Sequence, residues 1–552
     1  MKGKRNFILF LILIVAFFLR FYKLDLLPLY GDELTMVYDS YSILKTGKDQ
    51  WGNFMPLTFR MGAGRPAGYV YFSAPFVALF GPSAFGVRLL SVFSGVGIVF
   101  LMYLLGRKLF NYKVGLISSF LMAFSLWGIS LSRVGFEAHF ALFLSLLGIT
   151  FFIYADRRFW FYPLFALSWG LAIHTYPIYK LVLFLFFPFL IWYKKEILIK
   201  TFKIKSSFFP IFMSFLIALI AISFSLKETF FGISEERFLS INVFSRSDLK
   251  EKVVSEVVFN RSLPNMPDFL GKILFNKPVY YFLALFNSYL RNFSMDFLFI
   301  SGDANPVHNL FEFGQMYYVD LFLIFLGFLF LVRLDSVKIS SKLKILLISW
   351  LVISPLGSVL LLDQHALRNS FMLPVLIFLS ALGLNLLWSR GRLFFYRLLL
   401  LLIGVFFSFQ LILSFVRLLF VSPYKNGHFW SYQAKKAVLL ANEKSADYDY
   451  VLLSNKIDNI EYAYQVYNRI DPNEVIKQNL DKSKQDHYLK SFGNVYIIDL
   501  PKDKIEDYLD KIDSSYIFIG DWVEEKDYLK DYLRVYDPNP YSRPILIKYK
   551  NK

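Results

Sequence analysis

The segment that decides the fold is FILFLILIVAFFLRF, residues 7–21, which leads through a short connection to YGDE, residues 30–33. It follows three basic residues, Lys2, Lys4 and Arg5. A membrane-spanning helix needs about 20 predominantly apolar residues, so the segment predicts a first transmembrane helix with its basic end in the cytoplasm. Asp32 and Glu33 then lie past the far end of that helix, which points to chemistry at the outer face of a membrane.

The composition is that of a polytopic membrane protein. Of 552 residues, 56% are hydrophobic, 20% are aromatic and 64 are Phe, with a mean hydropathy of +0.46. Soluble domains have about 45–50% apolar residues. No small-residue cleavage site follows the first run, so a retained helix is expected. The sequence has no cysteine, which excludes disulfides and thiolate metal sites.

The net charge of +18 is unevenly distributed along the chain. From Pro423 to the end there are 20 basic and 21 acidic residues, so the surplus lies in the preceding part. There it is concentrated in short loops between apolar runs, which is typical of membrane topology and not of a nucleic-acid-binding surface. We therefore expect no nucleic-acid partner.

The apolar runs predict a polytopic α-helical protein with about eleven transmembrane helices. Their centres lie near Ile14, Val96, Ser119, Leu146, Phe165, Leu185, Leu216, Phe325, Ser349, Ile377 and Val405. The basic loops alternate with longer loops and begin at Arg107, Arg157, Lys194, Arg333 and Arg390. Because basic loops remain in the cytoplasm, we expect a cytoplasmic N-terminus and an extracytoplasmic C-terminus.

Two long outer segments are predicted within the membrane domain, which we place at residues 1–420. The first, residues 25–88, contains an amphipathic stretch, Thr35 to Leu44, ended by Gly47, and an aromatic run, Tyr69 to Phe80. Such stretches can lie in the membrane interface. The second outer segment spans residues 227–316.

Residues 421–552 predict a small extracytoplasmic α/β domain. Strand-like runs occur at Tyr450–Leu453, Val495–Ile498, Tyr516–Ile519 and Ile545–Tyr549. Helical patterns occur at Ile460–Tyr467 and Lys504–Ile512. The domain has no glycine-rich phosphate loop, so no nucleotide is expected.

The acidic pair has two compatible interpretations. Asp32 suits the N-cap of a helix from Glu33 to about Leu44, and the helix dipole favours Glu33 in the first turn. Alternatively, Asp32 is a general base held at the membrane surface.

Several further charged residues are candidates to bind the substrate or its lipid phosphate, and the cations among them suit the phosphate because Arg and Lys bind phosphate strongly. The candidates are Arg88, Arg133, Glu137, Lys180, Asp303, His308, His365 and Arg368. Arg88 also suits snorkelling to the headgroups, and Arg133 and Glu137 have the spacing of a helical ion pair. The histidines show no metal-ligand spacing, so a divalent metal is not favoured and no cofactor is expected.

Several motifs resemble the bacterial branch of the protein O-mannosyltransferase-like glycosyltransferases, glycosyltransferase family 39, which is related to the aminoarabinose transferases of lipid A. Besides the acidic pair, the matching segments are residues 44–49 (LKTGKD), 51–56 (WGNFMP), 81–89 (GPSAFGVRL), 127–137 and 301–308 (SGDANPVH). The resemblance spans about residues 1–420. One departure is Arg65-Pro66-Ala67-Gly68, where many relatives have His-Pro-Pro-Leu.

The resemblance implies a GT-C fold and an inverting sugar transfer from a polyprenyl-phosphate donor to an extracytoplasmic acceptor hydroxyl on protein, lipid or glycan. Asp32 matches the proposed base of that family and Glu33 its neighbouring acid. Arg88 matches an arginine expected to support the acid or the donor phosphate.

Two other function classes remain open from the residues alone. A transporter or flippase for lipid-linked saccharides favours charges at the bilayer midplane and inverted repeats, and neither is evident in the sequence. A non-catalytic cell-envelope scaffold would act through the C-terminal domain instead.

Overall fold

The computed structural model describes residues 2–61, 64–156, 158–232, 243, 246–333, 339–481, 488–522, 531–536 and 543–551. The chain forms two compact units, each assembled from separate segments. Unit 1 comprises residues 1–22, 57–68 and 91–414, and unit 2 comprises residues 23–56, 69–90 and 415–552. Unit 2 therefore contains the predicted C-terminal domain together with most of the first predicted outer segment.

The helices are numbered along the chain. They are α1 (Lys2–Phe21), α2 (Gly31–Thr46), α3 (Gly68–Phe80), α4 (Ala84–Leu109), α5 (Tyr112–Phe124), α6 (Leu126–Ser132), α7 (Glu137–Tyr154), α8 (Phe161–Ile173), α9 (Ile178–Tyr193), α10 (Lys195–Phe202), α11 (Phe208–Phe231), α12 (Ser247–Arg261), α13 (Asp268–Leu274), α14 (Lys277–Arg291), α15 (Tyr318–Arg333), α16 (Ser341–Ile353), α17 (Leu356–Val359), α18 (Leu373–Ser389), α19 (Phe394–Val416), α20 (Ser422–Lys425), α21 (Tyr432–Lys444), α22 (Ile460–Tyr467), α23 (Pro472–Leu480) and α24 (Ile505–Asp510). The strands are β1 (Thr58–Phe59), β2 (Arg65–Pro66), β3 (Tyr450–Ser454), β4 (Tyr488–Phe492), β5 (Val495–Ile498), β6 (Tyr516–Asp521), β7 (Leu533–Val535) and β8 (Ile545–Lys550).

All eleven predicted helix centres fall inside helices. Within the described residues, six helices are long and apolar enough to cross a membrane, or seven if the bent pair α5 and α6 is one span. Four further apolar helices, α3, α8, α9 and α15, are shorter than a full span. The protein is thus a multi-pass helical membrane protein, and the count of eleven spans stays a prediction. Arg157, residues 334–338 and residues 233–242, 244 and 245, which belong to predicted loops, lie outside the described residues.

Helix packing in unit 1 depends on close backbone approach. A Cβ atom on Gly327 of α15 would collide with the Leu379 carbonyl of α18, and one on Gly383 would collide with the Leu323 carbonyl. Small residues at such crossings allow helices to pack tightly in a membrane, where the hydrophobic effect does not drive association. By contrast, the spans containing α11 and α19 are only 11% buried within the protein, as expected of helices that face lipid.

Unit 2 contains a six-stranded mixed sheet in the order β4-β5-β3-β6-β8-β7. The central strands β5, β3 and β6 are parallel, and the outer pairings are antiparallel. Its core includes Leu452, Phe518 and Leu546, all fully buried. All four predicted strands are present, although β4 and β7 were not predicted.

Helix α2 differs from the expected interfacial helix. It ends at Gly47 as predicted, where the backbone adopts a φ of 70°. However, nine of its residues are buried, including the polar Asp39 and Ser40. The reason is that α22 and α23 of the C-terminal region pack against it. The amphipathic pattern thus did not predict that α2 is buried on most of its faces, and its placement in the membrane interface stays a prediction.

Candidate active site

The acidic pair lies in the first turn of α2. The cap position belongs to Tyr30, whose backbone is extended and whose side chain makes no capping hydrogen bond. Asp32 therefore follows the first helical residue, Gly31, and the prediction that Asp32 is the N-cap is wrong. Both carboxylates still gain from the positive end of the helix dipole. Asp32 is half-buried, whereas Glu33 is fully buried.

Glu33 forms a buried bidentate ion pair with Arg88. Arg88 Nε donates to Glu33 Oε1 at 2.7 Å, and Nη2 donates to Oε2 at 2.6 Å. The two side chains are 1% and 0% exposed. Breaking such a pair leaves an uncompensated buried charge, so the two residues depend on each other. The arginine at the start of α4 therefore fixes the carboxylate that neighbours Asp32.

Arg88 also binds the chain that leads into α2. Its Nη1 donates to the carbonyls of Leu24 and Leu27 at 2.8 Å, and its Nη2 donates to the Pro28 carbonyl at 2.7 Å. With the two bonds to Glu33, all five guanidinium N–H groups have protein acceptors. Of the two roles that the resemblance allows, support of the acid fits this geometry. Headgroup snorkelling and phosphate binding do not fit it, because the buried guanidinium has no N–H left to donate.

The C-terminal part of unit 2 surrounds the same turn. Trp430 is fully buried, its ring meets that of Tyr30 edge-on at 5.8 Å, and the Arg88 guanidinium lies 5.6 Å from its centre. Burial raises the pKa of Tyr467 to about 12. A hydrogen bond from the Leu29 backbone and the charge of Arg88 lower this pKa, but by less than burial raises it. The Tyr467 hydroxyl is therefore protonated at neutral pH.

Asn459 closes the start of α2 from the other side. A Cβ atom on Gly31 would lie 2.6 Å from Asn459 Oδ1. The Asn459 amide is itself held by Ser431 Oγ at 3.1 Å and by Asp458 Oδ2 at 2.8 Å. Sequence reasoning missed Trp430 and Asn459, because nothing in the sequence connects the C-terminal region to the first outer segment.

The motif around Asp49 builds the turn that follows α2. Asp49 is fully buried, and its Oδ1 accepts from the Trp51 and Asn53 backbone N–H groups at 2.9 and 2.8 Å. Asp39 Oδ1 likewise accepts from both Gln50 nitrogens, at 3.1 and 3.2 Å. These contacts show that the polar residues of this segment shape the turn after α2.

In unit 1, Arg133 binds the end of the first helix. Its Nη1 donates to the carbonyls of Leu19, Arg20 and Tyr22 at 2.9–3.2 Å. Glu137 forms a buried ion pair with Arg65 Nε at 2.6 Å. Arg65 belongs to the segment that departs from the family pattern, and it is a residue that sequence reasoning did not single out.

Lys180 lies at the start of α9 and is half-buried. Its Nζ donates to Thr229 Oγ1 at 2.9 Å. Next to Thr229, Glu228 Oε2 accepts from Thr58 Oγ1 at 2.7 Å. This group joins the β1 strand to the end of α11, and Lys180 adds a positive charge beside it.

Three further predicted side chains of unit 1 form one cluster, which consists of Asp303, His308 and His365. His308 Nδ1 lies 3.1 Å and His365 Nδ1 3.9 Å from Asp303 Oδ2, and the two imidazole rings are 4.4 Å apart. Arg368 forms an ion pair with Asp363 nearby. The cluster is partly buried, with Asp303 7% exposed.

Burial and charge set the ionisation of this cluster. Burial acts to raise the pKa of Asp303, but the hydrogen bond and charge of His308 outweigh it and hold that pKa below its ordinary value. Burial, together with the charges of His308 and Arg368, lowers the pKa of His365 well below its ordinary value. At neutral pH we therefore expect an ionised Asp303 beside a neutral His365.

Residues 64–225 match the family model of dolichyl-phosphate-mannose-protein mannosyltransferases. The matched part includes Arg65, Arg88, Arg133, Glu137 and Lys180. This match confirms the resemblance to the protein O-mannosyltransferase-like glycosyltransferases. No curated protein matches the sequence.

Solved structures of membrane glycosyltransferases resemble the whole chain. ArnT from Cupriavidus metallidurans bound to undecaprenyl phosphate is 12% identical, with a TM-score of 0.52 over 99% of this chain and 98% of ArnT. Its apo state gives a TM-score of 0.50 at the same identity and coverage. The archaeal oligosaccharyltransferase AglB from Archaeoglobus fulgidus, in complex with an inhibitory peptide and a dolichol-phosphate, is 13% identical, with a TM-score of 0.48 over 100% of this chain and 74% of AglB. The likeness to ArnT confirms the GT-C fold.

Proposed function

We propose that the protein transfers a sugar from a polyprenyl-phosphate donor to an acceptor hydroxyl at the extracytoplasmic membrane face, with inversion at the anomeric carbon. The observation that carries the proposal is the first turn of α2, where half-buried Asp32 is next to the Glu33–Arg88 ion pair. The family match supports a glycosyltransferase, and the undecaprenyl phosphate bound to ArnT supports a polyprenyl-phosphate donor.

Asp32 is our candidate for the general base. In an inverting transfer the acceptor oxygen attacks the anomeric carbon, the bond to the lipid phosphate breaks, and a carboxylate takes the acceptor proton. Glu33 is fully buried against Arg88, whereas Asp32 is half-buried, so we propose Asp32 as the carboxylate of the pair that meets the acceptor. Arg88 and Glu33 then act by holding the turn in place, because a general base must be held in a fixed position relative to the acceptor hydroxyl.

The other site residues remain candidates for donor binding. Lys180 and Arg368 stay predictions for binding the donor phosphate, because cations stabilise the charge that develops on such a group. Arg133, Glu137, Asp303, His308 and His365 stay predictions for binding the substrate or its lipid phosphate. The acceptor, whether protein, lipid or glycan, is defined here only by its hydroxyl group.

The proposal is tested with purified full-length protein and a panel of radiolabelled polyprenyl-phosphate sugars in the presence of cell-envelope acceptors. We expect transfer by the unaltered protein with one donor, and a loss of about 10²- to 10⁴-fold in Asp32→Asn. Asp25→Asn, an exposed carboxylate in the same segment, is the matched control and should retain activity.

Three outcomes would contradict the proposal. Full transfer by Asp32→Asn would remove the base. If the unaltered protein binds the donor and moves it across a vesicle membrane without any sugar transfer, the result would favour a transporter. Product of retained anomeric configuration would exclude the single-displacement chemistry.

A further inference from the structure

Three side chains that commonly ligate metals meet in unit 1 from loops far apart in the sequence. Asp303 and His308 lie between α14 and α15, and His365 lies between α17 and α18. One ligand atom from each lies within 4.8 Å of the other two. In the part of the chain that the structure describes, no other group of three His, Asp or Glu side chains has this arrangement.

The spacing of these atoms is that of ligands around one cation. Asp303 Oδ2 is 3.1 Å from His308 Nδ1, which is a hydrogen-bond distance, but 3.9 Å from His365 Nδ1, which is too long for a hydrogen bond. Atoms bound tetrahedrally at about 2.0–2.1 Å from a zinc ion lie about 3.4 Å apart. The two distances lie on either side of that value, and His365 Nδ1 also accepts from the Leu367 backbone N–H at 3.3 Å.

The surrounding structure holds the cluster in place. Asp303 Oδ2 accepts from the Ala366 backbone N–H at 2.7 Å, and Oδ1 accepts from that of Asn305 at 2.9 Å. The Ala366 carbonyl accepts in turn from Trp127 Nε1 at 3.1 Å. Outer hydrogen bonds of this kind orient metal ligands and fix their geometry. The two loops are thus joined at the cluster before any ion binds.

We propose that Asp303, His308 and His365 bind a divalent transition-metal ion of the zinc type. Two imidazoles and one carboxylate suit zinc or cobalt, whereas magnesium and calcium take oxygen ligands. Three protein ligands leave one position of a tetrahedral ion for water or another ligand. No step of the transfer proposed above requires this ion.

Metal binding is measured on the full-length protein in detergent after treatment with a chelator. We expect one Zn²⁺ per chain by equilibrium dialysis, and Co²⁺ should give the visible absorption of a tetrahedral site with nitrogen and oxygen ligands. Zn²⁺ should also raise the melting temperature, because an ion that binds only the folded state stabilises it.

Variants show whether Zn²⁺ binding depends on these residues rather than on other histidines or on the proposed base. His308→Ala and His365→Gln should each weaken Zn²⁺ binding by at least about tenfold. His428→Ala and Asp32→Asn should leave it unchanged, so a failed transfer assay does not decide the metal question. Absence of stoichiometric binding, or equal Co²⁺ spectra in all variants, would show a hydrogen-bonded cluster without a metal.

Discussion

Arg88 shows how one side chain can define the candidate active site. Its planar group reaches the Glu33 carboxylate and three backbone carbonyls at once. A lysine ammonium has three donors and lacks the fork that matches a carboxylate. The contacts of Arg88 therefore combine charge balance with fixed geometry, and the two contributions are separable by mutation.

Removing the pair should separate folding from activity. Arg88→Ala should reduce the free energy of unfolding by about 3–5 kcal/mol, because it leaves the buried Glu33 charge unpaired. A double variant, Glu33→Leu with Arg88→Met, should recover much of that stability, since apolar residues often replace a buried ion pair without loss. We expect its transfer activity to remain low, as measured alongside thermal unfolding in detergent. Recovered activity would show that the pair serves folding alone.

The sequence predicted the residues of this turn better than their partners. Asp32, Glu33 and Arg88 were recognisable because each lies in a short motif that resembles the family, YGDE and GPSAFGVRL. Arg65 and Trp430 were missed because their partners, Glu137 and Tyr30, are distant in sequence. The cluster of Asp303 with His308 and His365 was likewise invisible to a search for metal-ligand spacing, since its ligands come from separate loops.

Among the elements, α2 is the one whose surroundings differ most from expectation. Its first residue, Gly31, packs against Asn459, which precedes α22 and adopts a left-handed φ of 61°. Helix propensity alone would favour alanine at position 31. The close approach of Asn459 explains why glycine is found there instead.

A rescue experiment tests this packing. Gly31→Ala should destabilise unit 2 by about 1–3 kcal/mol through overpacking against Asn459, and it should lower transfer activity by displacing Asp32. Asn459→Gly should be tolerated alone, because glycine readily adopts the left-handed conformation. The double variant should regain both stability and activity. If the losses of stability in the two single variants instead add up in the double variant, the two residues do not interact.

Strong periodicity explains which elements were predictable. Runs of alternating or continuous apolar residues identified β3, β5, β6 and β8 and the centres of the long helices. Strand β4 was missed because its sequence YLKSF includes polar residues, and strand β7 was missed because it has only three residues, LRV. The start of α2 was misplaced because Tyr30, which is not a favoured capping residue, occupies the cap.

At the scale of the molecule, membrane orientation is the property that the basic loops predict most directly. The chain has no cysteine, so single introduced cysteines report their side of the membrane without background. Asp513→Cys in unit 2 and Lys195→Cys at the start of α10 are both exposed positions.

In intact cells or right-side-out vesicles, a membrane-impermeant maleimide should label Asp513→Cys. Lys195→Cys should react only after permeabilisation, because the positive-inside rule keeps that loop in the cytoplasm. Transfer activity and melting temperature of each variant verify that the fold is retained. Labelling in the reverse order would place the acidic pair on the cytoplasmic side and contradict the proposed donor geometry.

The discontinuous make-up of unit 2 has a consequence for biosynthesis. Residues 23–56 and 69–90 are made early, yet their partners in the unit begin at residue 415. Domains generally fold as their chain emerges from the ribosome, from the N-terminal end onward. Here the turn with the acidic pair lacks its partners until the chain from residue 415 onward has been made. A chain terminated before that point is therefore expected to insert into the membrane without the complete proposed site. Synthesis of the chain from residue 415 onward then becomes the step that completes the proposed site.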